Sequence, residues 1–120
     1  MINEEKYRQL IALLVKRTDA GAAWEPTERD GVFALSLPDY TVQISQRRRQ
    51  DAQDDINIQI VGWTGTTIDS FTHRDVARGL PPEEYQIVYS SMFELFEKAR
   101  RKALGVDVAL DKLIQELGKE

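Results

Sequence analysis

A chain of 120 residues has the length of one domain, expected here over residues 1–120, and its 42% hydrophobic content is enough to bury a core. A net charge of −4, from 16 basic and 20 acidic residues, argues against a generally basic nucleic-acid binder. There is no cysteine, which excludes disulfides, thiolate catalysis and cysteine-built zinc sites and fits a reducing, cytoplasmic setting.

The opening MINEEKYRQL carries acids where a secretory leader needs a basic region and then an apolar one. The longest apolar run, Leu10 to Val15, falls far short of the ~18 residues that a membrane span needs. A helix is expected instead. Asn3 is placed to cap it, and Glu4 and Glu5 meet the positive end of its dipole. Tyr7, Leu10, Ile11, Leu14 and Val15 trace one apolar stripe, and Gly21 closes the helix after Lys16 and Arg17.

From Trp24 to Phe71 the apolar period changes from 3.6 to 2. Phe33, Leu35 and Leu37 alternate with smaller or polar residues, as do Tyr40, Val42 and Ile44, and then Ile56, Ile58 and Ile60. Each run reads as a strand with one buried face. A short strand near Trp24 precedes them, held to the sheet edge by Pro26. A last strand runs from Thr66 to Phe71, and its out-of-phase Ile68 and Phe71 predict a bulge. Turns at Asp30-Gly31, Pro38-Asp39 and Gly62 to Gly65 make an antiparallel meander the economical connection.

Pro81 and Pro82, followed by Glu83 and Glu84, open a long helix. Tyr85, Val88, Met92, Leu95, Phe96, Ala99 and Ala103 lie on one of its faces. Gly105 stops it, and Asp107 is placed to cap a short final helix carrying Leu110, Leu113, Ile114 and Leu117. The fold class is therefore α+β: a five-strand antiparallel meander with an N-terminal helix, a long C-terminal helix and a short final one. Thr41, Gln43, Ser45, Asn57 and Gln59 fall on the face turned away from the helices.

The loudest stretch is QRRRQDAQDD, residues 46–55, in the hairpin between the third and fourth strands. Arg47, Arg48 and Arg49 are matched by Asp51, Asp54 and Asp55, and no aromatic is interleaved for base stacking. A solvated hairpin with self-screening charge is expected. A second basic cluster, Lys98 to Lys102, closes the long helix. Glu94–Lys98 and Glu97–Arg101 have the spacing of helical ion pairs, which leaves Arg100 free for an anionic partner. Weak nucleic-acid association through Arg47–Arg49 and Lys98–Lys102 remains a third-ranked alternative.

His73 is the only histidine, and Asp69, Ser70 and Asp75 flank it. The segment lacks a nucleophile elbow, and its His-Arg-Asp string lacks every companion motif of a protein kinase. No catalytic, cofactor or metal-binding residue is expected, and the chain is read as a non-enzyme. Trp63 lies in a glycine-bounded turn. It is expected to fold back onto the sheet edge or a helix end, while exposure would mark an interaction site.

WEPTERDGVFALSL, YTVQIS and IVGWTGTTIDSF, with the tail KARRKALGVDVALDKLIQEL, carry Trp-x-x-Thr and Phe-x-x-x-Leu strands and an Ala-Arg-Arg-x-Ala-Leu-Gly-Val junction. Over nearly its whole length the chain resembles an uncharacterised family of small bacterial α+β proteins. The resemblance implies a helix-flanked meander and carries over no catalytic residue. The expected function is a binding or adaptor module that contacts a protein partner or a second copy of itself. Trp63, Arg47, Arg48, Arg49, Arg100 and Arg101 are the candidate contacts. The alternative is a ligand-binding domain or small enzyme with a pocket between the sheet and the C-terminal helices.

Overall fold

The computed structural model describes residues 4–50 and 53–119, so Asn3 and Asp51, both given roles above, lie outside the described residues. The chain runs α1 (Glu4–Asp19), β1 (Glu25–Pro26), β2 (Val32–Ser36), β3 (Tyr40–Arg47), β4 (Asp55–Gly62), β5 (Thr67–Thr72), α2 (His73–Val76), α3 (Pro82–Leu104) and α4 (Val106–Leu117). The five strands pair in sequence order, each antiparallel to its neighbour.

Register explains the core. Phe33 pairs with Ile44, Ile44 with Ile58 and Ile58 with Phe71, so one apolar row crosses four strands on a single face. Met92, Leu95, Phe96 and Ala99 of α3 cover that face, with Ile11 and Leu14 of α1 beside them, and all are buried. The Phe33 and Phe96 rings meet at 5.8 Å, and Tyr7 stacks on Phe71 at 4.0 Å. These side chains form the core between the sheet and α3.

One carboxylate sits among them. Asp69 pairs with Ile60 on the helix-facing side, and the Tyr7 hydroxyl donates to its Oδ2 at 2.8 Å. Burial and this acceptor together push the Tyr7 phenol up to about 12. The bulge falls where the broken alternation places it: Asp69 opposes Ile60 and Thr67 opposes Val61, which leaves Ile68 as the extra residue.

Helix ends follow their glycines. At the end of α1 the Ala22 N–H donates to the Arg17 carbonyl and the Gly21 N–H to that of Thr18, the double closure that requires a left-handed residue. Gly21 supplies it at φ +98°. Gly105, at φ +63°, caps α3 and at once starts α4.

Three details of the helices depart from the sequence reading. Residues 73–76 form a one-turn helix, α2, set by a reciprocal cap in which Thr72 Oγ1 accepts from the Arg74 N–H and Asp75 accepts from the Thr72 N–H. Asp107 is not the cap of α4; Gly105 holds that position and Asp107 accepts from Arg101 across the junction. The helical ion pairs are also redistributed. Lys98 reaches Asp19 of α1 at 2.6 Å rather than Glu94, and Glu97 takes Arg100 rather than Arg101.

Candidate functional site

Amphipathic helices normally hide their apolar stripe, and α4 does not. Val106, Leu110, Leu113 and Leu117 recur at alternating spacings of four and three, with Ile114 beside them, yet no residue of α4 is buried. Leu113 is 54% exposed, Ile114 70% and Leu117 78%. A 12-residue helix is marginal in water by propensity alone, so such a stripe gains its worth from a surface to lie on. The intramolecular option, with α4 folded across α3, is not what the chain adopts. From the left-handed turn at Gly105, α4 runs on touching no element but α3, and with it the chain extends 60 Å along its long axis against 37 and 28 Å along the others.

Exposed apolar residues also gather on the body. An apolar groove of about 490 Å³ runs between α1 and the end of β2. Leu10, Leu13, Leu14, Leu35 and Leu37 line it, and Lys16 and Arg17 form its rim. Leu13 stays substantially exposed, and so do Leu37, which falls just past the end of β2, and Tyr40, which opens β3. Neither Leu37 nor Tyr40 joins the buried strand face that its alternation predicts.

Trp63 does not fold back. The turn from Gly62 to Gly65 closes by a 2.9 Å hydrogen bond and holds the indole out, 84% exposed. The turn is too tight to return the ring to the sheet, and the expectation of a covered Trp63 is corrected. By contrast Trp24 is buried, with Nε1 donating to Thr18 Oγ1 at 2.9 Å.

The arginines split. Arg47 and Arg48 are exposed at the β3–β4 hairpin. Arg49 lies 3.7 Å from Asp55 Oδ1, and Arg74 donates to Asp55 Oδ2 at 3.0 Å. Asp55 is no solvated hairpin residue: it opens β4, is 8% exposed, and its Oδ1 accepts no hydrogen bond. Asp54 ties the hairpin by accepting from Gln46 Nε2 and the Arg49 N–H. Arg100 is engaged by Glu97 and Arg101 by Asp107, so neither stands free for an anion.

The sheet face away from the helices holds a shallow polar basin of about 220 Å³, with Arg29, Gln43, Arg47, Asn57, Gln59 and Ser70 among its walls. His73 does not open into it. The ring is buried, its Nδ1 faces the Ile56 N–H at 3.5 Å, and Tyr85 and Tyr89 present to it edge-on. Its neighbours in sequence are committed elsewhere: Asp69 to Tyr7, Ser70 to Asn57, and Asp75 to Thr72 and Arg78. Burial holds the imidazole pKa below its ordinary value, against the opposing pull of Asp55.

Among the described residues no three acidic or histidine side chains gather to hold a metal ion, and no helix is long and apolar enough to cross a membrane. Comparison with protein-family models, curated proteins and solved structures finds no match to this chain. The resemblance drawn from the strand and tail signatures rests on those residues alone.

Proposed function

We propose that the chain is a non-catalytic binding module of the cytoplasm whose C-terminal helix docks on an apolar protein surface. The observation that carries this reading is α4 itself, an amphipathic helix at the end of a well-packed body with no residue of its own buried. The fold does not need its stripe, because Met92, Leu95, Phe96 and Ala99 already cover the sheet together with α1. Exposed Trp63 adds a second contact of the type enriched at interaction hot spots.

Nucleic acid is the weaker reading. In the hairpin Arg49 is spent on Asp55, and at the end of α3 Lys98, Arg100 and Arg101 are spent on Asp19, Glu97 and Asp107. Arg47 and Arg48 then support at most a salt-sensitive, nonspecific contact.

The absence of cysteine makes the test direct. A photo-crosslinker attached through Leu117→Cys is expected to form protein adducts in cell extract, while the same probe at Glu28→Cys forms none. The partner in an adduct is either another protein or a second copy of this chain. Absence of adducts from every exposed α4 position contradicts the reading.

A further inference from the structure

We infer that the surface receiving α4 is the α1–β2 groove of a second copy of this chain, with each protomer lending its helix to the other. The inference rests on the reading of α4 as a docking helix and names its partner. The stripe of Leu110, Leu113, Ile114 and Leu117 lies uncovered. Of the two apolar grooves on the body, the one floored by Leu10, Leu14 and Leu35 has two basic side chains at its rim. The other, beside Ile11, Val15 and Ile87, has only Arg8, already bonded to the Val76 and Arg78 carbonyls. At 1.5 Å per residue, α4 is about 18 Å long against about 24 Å for α1, so the helix fits along the wall it would pack on.

Charge selects this occupant. The groove rim carries Lys16 and Arg17, and α4 carries Asp111 and Glu116 on its flanks, with Lys112 beside Glu116 as its one basic side chain, so the helix is acidic overall. Among the described residues none of Lys16, Arg17, Asp111 and Glu116 takes part in an ion pair within the protomer. Docking α4 on the groove brings opposite charges together at the rim of an apolar contact.

Geometry favours a second copy over the chain's own helix. Within the protomer α4 touches no element other than α3, so its stripe does not reach the groove on α1 of its own chain. A two-fold arrangement then makes the contact twice, each helix in the opposite groove, and closes the assembly.

Sedimentation velocity over a concentration series tests this. The wild type is expected to dimerise, and both Leu113→Asp/Ile114→Asp and Leu13→Asp are expected to weaken the dimer at least about tenfold, the effect of losing one buried anchor. All three residues are exposed in the protomer, so circular dichroism should be unchanged. Lys16→Glu/Arg17→Glu should weaken association, and adding Asp111→Lys/Glu116→Lys should restore it.

A monomeric wild type overturns the inference. So does a dimer indifferent to Leu13→Asp, which would place α4 on something other than the groove, and so does failure of the charge exchange to rescue. A monomer whose α4 still crosslinks to a different protein ends the self-docking inference and leaves the binding-module reading standing. A monomer without adducts ends both.

Discussion

Truncating Ile58 to alanine is expected to cost about 3 kcal/mol, within the range for deleting most of a fully buried aliphatic side chain. Ile58 lies near the middle of the interior strand β4, between Ile44 and Phe71, with no exposed surface. Its removal leaves a cavity facing the α3 residues that cover the sheet, and close-packed neighbours relax into such a space only in part. For a chain of this length the loss corresponds to a fall in Tm on the order of 10 °C. Leu113→Ala, an aliphatic truncation on α4, is expected to change protomer stability by less than about 0.5 kcal/mol. Urea titration of both variants checks the contrast, and comparable losses would mean that α4 belongs to the core.

The second large effect is acid lability through His73. Unfolded, the imidazole titrates near its ordinary value of 6.5; folded, burial holds it lower. Above the unfolded value both states carry a neutral ring and the stability is complete. As pH falls below it, the unfolded chain takes up a proton that the native site refuses, and stability declines until the folded value is reached. The slope in that window is at most about 1.4 kcal/mol per pH unit, the limit for one proton. His73→Asn places an amide oxygen where Nδ1 faces the Ile56 N–H, keeping an acceptor while removing the titration. The variant is expected to be less stable at neutral pH, because it loses the ring contacts with Tyr85 and Tyr89, but flatter as pH falls below the ordinary imidazole value. Parallel pH profiles for the two proteins would assign the acid sensitivity to carboxylates instead.

Much of the fold was legible because it depends on period. Alternation at Phe33–Leu35, Val42–Ile44 and Ile56–Ile60 names the buried face of three strands, and the phase break at Ile68 names the bulge. The stripe from Tyr85 to Ala103 likewise names the covered side of α3. What escaped depends on partners brought together from far along the chain. Asp55 has the parity of Asn57 and Gln59 and reads as a wet residue, and only the folded chain delivers Arg74 to it. Lys98 had a partner four residues away by spacing, but the packing of α3 on α1 offers Asp19. The α2 cap was readable from Thr72 and Asp75, a reciprocal pair three residues apart, but its single turn carries no periodic signal. For α4 the sequence gives an apolar stripe without saying where it lies. The left-handed turn at Gly105 starts it on a path that touches no element but α3.

The central claim is that the α4 stripe serves association and contributes nothing to folding of the protomer. The most direct measurement is the urea midpoint as a function of protein concentration for the wild type and for Leu113→Asp/Ile114→Asp. Binding to the folded state raises apparent stability by mass action, so the wild-type midpoint should climb with concentration. The variant's midpoint should stay constant and coincide with the wild-type value at high dilution. Burial of Leu113 and Ile114 within the protomer would be worth roughly 1.5–3 kcal/mol for each side chain. A variant less stable than the wild type by that amount at every concentration would contradict the claim and return α4 to the core of its own chain.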